Sequence, residues 1–171
     1  MPRLGIALGA NIGDRLRTLQ QARDALLSLA GPQRDFRQAP VFTSAPVDCP
    51  PGSPDFLNTV LELDMPELGL PEILAQCQHI EGALGRPDAT RRPRNAPRLI
   101  DVDLLYASDT TWKSAELELP HPRMAERAFV LVPLACIAPE RVPFGLDLSV
   151  AEMLAQLPTI EPPLRVLCED W

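Results

Sequence analysis

Two hydrophobic periods alternate along this chain. Leu4-Gly5-Ile6-Ala7-Leu8 is a short apolar run ending at Gly9, the pattern of a buried strand. Gly9 to Asp14 is a turn into a helix, with Asp14 as its N-cap. From Arg15 to Ala30, Leu16, Leu19, Ala22, Leu26 and Leu29 keep a helical spacing that Gly31-Pro32 stops. Residues 36–44 read as a strand interrupted by Pro40, and the proline-rich stretch 45–55 as a loop. Residues 56–63 form a further strand. Residues 71–84 form a helix with Pro71 in its first turn and Gly85 past its end. Residues 100–106 are a strand in which Asp101 and Asp103 share a face, and 117–119 a short strand. Helices are expected within 128–136 and over 150–157. The order β-α-β-β-α-β predicts an α+β sandwich with a mainly antiparallel sheet. A doubly wound parallel sheet is disfavoured, because no helix separates the second and third strands.

Composition narrows the class. The 171 residues suit a single domain over 1–171, and 46% hydrophobic with 23% charged residues is ordinary for a globular protein. The 20 prolines are scattered, so they mark fixed loops rather than a Pro-rich linker. A net charge of −7 argues against nucleic acid or an anionic membrane as partner. No apolar run approaches the ~18 residues of a membrane-spanning helix. Met1-Pro2-Arg3-Leu4 lacks a signal-peptide layout, and Cys49, Cys77, Cys136 and Cys168 have no CxxC spacing. Free thiols in a reducing cytoplasm are therefore expected. A P-loop is excluded, since there is no GxxxxGK. The average charge conceals one exception. Between residues 86 and 98, Arg86, Arg91, Arg92, Arg94 and Arg98 stand against Asp88 alone, a local charge of +4.

Four constellations could carry chemistry. Asp101 and Asp103 would sit side by side among Ile100, Val102, Leu104 and Leu105, where paired carboxylates are costly unless a cation relieves them. Hard oxygen donors favour Mg²⁺ or Mn²⁺ over zinc. The bland alternative is the polar face of an edge strand. The arginine loop precedes them directly, so phosphate could lie between the basic and acidic sides, the layout of phosphoryl transfer. Otherwise it is a solvated charge run. His121, fixed between Pro120 and Pro122, could contact phosphate or serve as a surface hydrogen-bonder. Phe56 and Asn58 share a strand face and could stack on and hydrogen-bond a planar heterocycle, or fill core and edge positions.

Arg94-Asn95-Ala96-Pro97-Arg98-Leu99-Ile100-Asp101-Val102-Asp103-Leu104-Leu105 closely resembles the signature of the 6-hydroxymethyl-7,8-dihydropterin pyrophosphokinases of folate biosynthesis. Residues 8–14, Pro54-Asp55-Phe56-Leu57-Asn58, Gln78 with Ile80-Glu81 and Gly85-Arg86, Pro120-His121-Pro122-Arg123-Met124 and Arg127-Ala128-Phe129-Val130-Leu131 match further motifs in order. The resemblance implies a ferredoxin-like fold and an enzyme that moves the β,γ-pyrophosphoryl group of ATP onto the pterin's hydroxymethyl oxygen, leaving AMP; a monomer is expected. It implies that Asp101 and Asp103 hold two Mg²⁺ ions and that Arg86 and Arg98 neutralise phosphate charge. Gln78, Glu81, Leu104, His121 and Arg127 would line the ATP side. Phe56 and Phe129 would sandwich the pterin, with Asn58 at its edge and Ser44, Ala45, Val47 and Asn95 completing the pocket. Four departures stand out. Asn95 replaces a common lid tryptophan. Glu116 and Glu118 replace Arg and Thr near the nucleotide. The loop 86–98 is slightly longer than in some members, and Ser44-Ala45 replaces Thr-Pro. A non-catalytic pterin- or nucleotide-binding paralogue is the alternative these departures leave.

Overall fold

Asp14 caps its helix as the sequence suggests, its carboxylate accepting a hydrogen bond from the Arg17 amide at 3.3 Å. The computed structural model describes residues 3–32, 35–46, 51–66, 68–85, 99–159 and 162–171. In chain order these form β1 Arg3–Ala10, α1 Arg15–Ala30, β2 Phe36–Gln38, β3 Val41–Ser44, β4 Phe56–Asp64, α2 Leu70–Ala83, β5 Asp101–Ala107, β6 Trp112–Lys113, β7 Glu118–Leu119, α3 Ala128–Ile137, α4 Val150–Ala155 and β8 Arg165–Cys168.

The sheet runs β5-β1-β4-β3-β8, with β2 pairing β4 beyond β3. Every pairing is antiparallel. The inner order β5-β1-β4-β3, generated by a β-α-β-β-α-β chain, is the ferredoxin-like arrangement. Helices α1 and α2 cover one face, where Leu4, Ile6 and Leu8 of β1 meet Leu19, Leu26, Ile73 and Cys77. Helices α3 and α4 cover the other, where Val60, Leu105 and Tyr106 meet Leu131, Leu134 and Met153. The helices expected at 128–136 and 150–157 thus add a third layer to the sandwich.

Three details differ from the sequence reading. The strand expected over 36–44 is two strands, because Ala39-Pro40 breaks it where proline has no amide to offer the ladder. The Ala39 amide still reaches the Val60 carbonyl at 2.9 Å. The strand at 117–119 belongs to a small hairpin with β6. Strand β8 was not foreseen. Trp171 anchors it, with its indole donating to the Ala39 carbonyl at 2.9 Å and Arg23 lying 4.9 Å over its ring.

A buried ion network fixes the end of the sheet remote from the helix-start turn. The Glu62 side chain is 0% exposed. It accepts from Arg3 Nε at 2.9 Å, Tyr106 Oη at 2.9 Å and Arg141 Nε at 2.8 Å. A bulge brings Tyr106 there. The β1–β5 register passes from Ile6↔Leu104 to Gly5↔Tyr106, so Leu105 is the extra residue. Leu105 and Tyr106 therefore face the same layer, and the Tyr106 ring occupies the space that a Cβ on Gly5 would need. Burial raises the Glu62 carboxyl, but the hydrogen bonds from Arg3 and Tyr106 and the charge of Arg141 outweigh it, so it titrates below the ordinary glutamate range.

A depressed folded-state pKa stabilises the fold above the unfolded value and loses that contribution as pH falls through the folded one. Wild-type stability in urea should therefore decline as pH drops below the glutamate range, and E62Q should lack that part of the decline. E62Q should also cost about 3 kcal/mol at neutral pH. That is the lower end for breaking a buried pair, because Arg3 keeps Asp35 and Asp64 as partners. Equal urea midpoints for E62Q and wild type would contradict this account.

Candidate active site

Strand alternation and register build the site's floor. Val102 and Leu104 point into the α1–α2 core, so Asp101 and Asp103 point to the opposite face. Gly9 pairs with Asn58 on one side and Asp101 on the other, and Asn58 pairs with Phe42. One row thus crosses four strands as Phe42, Asn58, Gly9, Asp101. Gly9 has no side chain, so the floor between the amide and the carboxylate is open. A Cβ there would stand 3.1 Å from Asn58 Oδ1. Asn58 is 6% exposed and donates Nδ2–H to the Ser44 hydroxyl at 2.6 Å, which leaves Oδ1 over Gly9. Phe56, two residues before Asn58, shares its face, and Phe129 in the first turn of α3 packs on the same side of the sheet. The Arg127 guanidinium lies 5.5 Å from the Phe129 ring centre.

A cleft of about 330 Å³ opens at the outer edge of β5. Leu74 of α2, Val102-Asp103-Leu104 and residues 114–118 line it, together with His121 and Pro122. Asp103 thus joins the floor to the cleft. His121 is held at both ends: its amide donates to the Leu105 carbonyl at 2.7 Å, and its Nδ1 accepts from the Arg123 amide at 3.1 Å. Burial lowers its pKa, Asp103 opposes this, and Arg127 and Arg123 add to it, with a net downward shift. His121 is therefore neutral at pH 7, with the proton on Nε2. In the cleft wall, Glu118 pairs with Lys113 at 3.1 Å, and Glu116 accepts from the Ser114 hydroxyl at 3.3 Å.

The sequence-derived set divides in two. Ser44, Phe56, Asn58, Asp101, Asp103, Leu104, His121, Arg127 and Phe129 gather on the floor and cleft, and Ala45 follows directly on Ser44 at the end of β3. Gln78 stands exposed one turn beyond Leu74 on α2, outside the cleft's lining. Glu81 engages the backbone of β5, accepting from the Val102 amide at 2.8 Å. Val47, Arg86, Asn95 and Arg98, with Arg91, Arg92 and Arg94, lie outside the described residues. Leu99 packs its methyl groups beside Gly13 and Gly85. Gly9, Leu74 and Ser114 are additions. Only the register and the cleft give them a role.

Asp101 and Asp103 offer two hard carboxylates on one face. Among the described residues no three His, Cys, Asp or Glu side chains converge on a metal position. A pair of carboxylates on one strand face fits Mg²⁺, which typically takes one or two protein carboxylates together with substrate phosphates. No described helix is long and apolar enough to cross a membrane.

A family model described as 7,8-dihydro-6-hydroxymethylpterin-pyrophosphokinase matches residues 5–139. The chain belongs to the 7,8-dihydro-6-hydroxymethylpterin-pyrophosphokinase family. A curated relative from Methylorubrum extorquens, named 2-amino-4-hydroxy-6-hydroxymethyldihydropteridine pyrophosphokinase, is 40% identical over 160 residues, covering 92% of this chain and 94% of its own. One of the same name from Bacillus subtilis is 40% identical over 130 residues, covering 76% of this chain and 74% of its own. A solved Plasmodium falciparum HPPK-DHPS chain with pteroate superposes with a TM-score of 0.69 over 91% of this chain at 12% identity, which bears on the fold alone. This chain spans 42% of that one. As a pterin pyrophosphokinase of folate biosynthesis it is a transferase, and membership favours the catalytic reading over the binding-only alternative.

If the floor seats a flat substrate, Gly9→Val should fill it. Equilibrium dialysis should show substrate-pterin affinity falling at least about tenfold, at a stability cost of about 1–3 kcal/mol from overpacking. Unchanged affinity would place the substrate elsewhere.

Proposed function

We propose that the chain, acting as one domain and as a monomer in the cytoplasm, moves the β,γ-pyrophosphoryl group of ATP to 6-hydroxymethyl-7,8-dihydropterin. The observation that carries this reading is Asp103, which shares a strand face with Asp101 of the glycine-floored row and also lines the edge cleft. A bond forms between the hydroxymethyl oxygen and the β-phosphorus. The bond from that phosphorus to the α,β-bridging oxygen breaks, AMP departs, and the hydroxyl proton is released.

The pterin lies over Gly9. Asn58 Oδ1 accepts from its ring N–H groups, held in that orientation by Ser44, while Phe56 and Phe129 supply stacking faces. Asn95, Val47 and the backbone near Ala45 complete this side. ATP occupies the edge cleft, its base beside Leu74 and the outer edge of β5 at Leu104, with Gln78 one turn farther along α2. His121 donates from Nε2 to a phosphate oxygen, and Arg127 adds charge at the start of α3. Asp101 and Asp103 would hold two Mg²⁺ ions, which would supply charge neutralisation for the triphosphate. Arg86 and Arg98 offset the charge that develops on the phosphates in transfer. Positioning and charge supply most of the catalysis in such a reaction. The net charge of −7 argues against nucleic acid as a partner.

Purified protein with ATP, Mg²⁺ and the hydroxymethyl dihydropterin should release AMP and form the pterin diphosphate, and absence of AMP would refute the assignment. Asp103→Ala should lower turnover by at least about a thousandfold while pterin affinity changes less than about threefold. Loss of the fold in that variant would mean that the carboxylate is structural.

Glu116 sits where it repels a triphosphate. Glu116→Arg should lower the KM for ATP by about fivefold, near the upper limit for an exposed charge pair. A KM unchanged or raised would place the phosphates away from residues 114–118.

A further inference from the structure

We propose that Glu81 is a positioning residue: it acts through the Val102 amide to hold the strand segment that carries Asp101 and Asp103, without touching the nucleotide. The proposal rests on the reading of those two carboxylates as the Mg²⁺ site.

Among the described residues, strand β5 is the last on its side of the sheet, and its outward-facing amides have no neighbouring strand there. The cleft opens along this edge. Glu81 Oε1 accepts from the Val102 amide at 2.8 Å, so that amide faces outward. In an antiparallel ladder the backbone groups of alternate residues point opposite ways. Asp101 and Asp103 therefore turn theirs inward to Gly9 and Ala7 of β1. Each carboxylate-bearing residue is tied to the central strand, and the residue between them is tied to α2.

The tie has a mechanical purpose. Two like charges side by side push a strand edge apart, and an unpaired edge amide next to a wet cleft gives no resistance. A carboxylate acceptor makes a charge-assisted bond, stronger than a neutral one. The Val102 side chain is 4% exposed and packs in the same cluster as Ile80, the neighbour of Glu81, which fixes the approach from below. Glu81 comes from the helical layer facing Val102, whereas Asp101 and Asp103 project to the other face. Its influence on the metal pair thus runs through the backbone.

The test measures Val102 amide exchange by NMR in metal-free protein, alongside turnover, pterin KM and half-maximal Mg²⁺, for wild type, E81Q and E81A. E81M, of similar volume to glutamate, replaces E81A should alanine lose the fold. The apolar variant should speed Val102 exchange about tenfold relative to its β5 neighbours. It should raise half-maximal Mg²⁺ and lower kcat by about tenfold or more, the usual effect of removing a ligand's support, with pterin KM within about twofold. E81Q, whose amide oxygen can accept the same bond, should restore all of these to within about threefold. Faster exchange without a change in Mg²⁺ dependence or kcat would overturn the proposal, as would unchanged exchange. So would an E81Q as impaired as E81A with Val102 still protected, because the charge itself would then be acting. These results refute the proposal alone when wild type is active. A wild type that releases no AMP refutes the functional reading, and the proposal with it.

Discussion

The register of β1 against its two neighbours is the constraint on which the site depends. Gly9 lies between Asn58 and Asp101 only because Leu8 pairs with Thr59 and Val102 in the same frame. A slip of one residue would turn Asp101 and Asp103 into the α1–α2 core and bring Val102 and Leu104 out to the floor. Burial makes that slip expensive, since Leu4, Ile6 and Leu8 are each at most 1% exposed. The hydrophobic alternation of β1 thus specifies the chemistry of β5.

The same strand order divides labour along the sheet. At one end, side chains are small or polar and leave room: Gly9, Asn58 and Ser44. At the other, Gly5 also lacks a side chain, but the Leu105 bulge lays the Tyr106 ring over it and closes the space. Glu62 then draws Arg3, Tyr106 and Arg141 together from three parts of the chain. The closed end supplies rigidity, and the open end keeps space over Gly9 beside Asn58 and Ser44. Cys77, beneath the β5 edge, is pushed up to about 12 by burial and by the nearby charges of Glu81 and Asp103, so its thiol is inert packing.

Much of this was legible in the sequence, and the rest was hidden for identifiable reasons. Helix α1 was readable to the residue because a carboxylate cap, a clean period and a glycine stop agree at Asp14, Leu16 to Leu29 and Gly31. Asp101 and Asp103 were readable because a strand's period of two puts them together whatever the fold. Glu62 was not, because it occupies what looks like the solvent slot of an alternating strand; only the third layer buries it. Helix α3 is apolar nearly all round, from Ala128 to Ile137, so its pattern did not say which face meets the sheet. Strand β8 leaves Val166 and Leu167 about half exposed and is held by backbone pairing and Trp171, neither of which hydrophobic spacing reports. Glu81 resembled a nucleotide-side residue, and its partner is a backbone amide that no side-chain pattern reveals.

The central claim is that Asp101 and Asp103 form the joint between the pterin floor and the nucleotide cleft. Anomalous diffraction from crystals grown with Mn²⁺, the hydroxymethyl dihydropterin and α,β-methylene ATP, in which the bond to be broken is blocked, tests it most directly. The account predicts two Mn²⁺ peaks, each about 2.1–2.3 Å from a carboxylate oxygen of this pair, with the pterin ring over Gly9. Metal peaks away from both carboxylates, or a pterin seated elsewhere on the sheet, would contradict it.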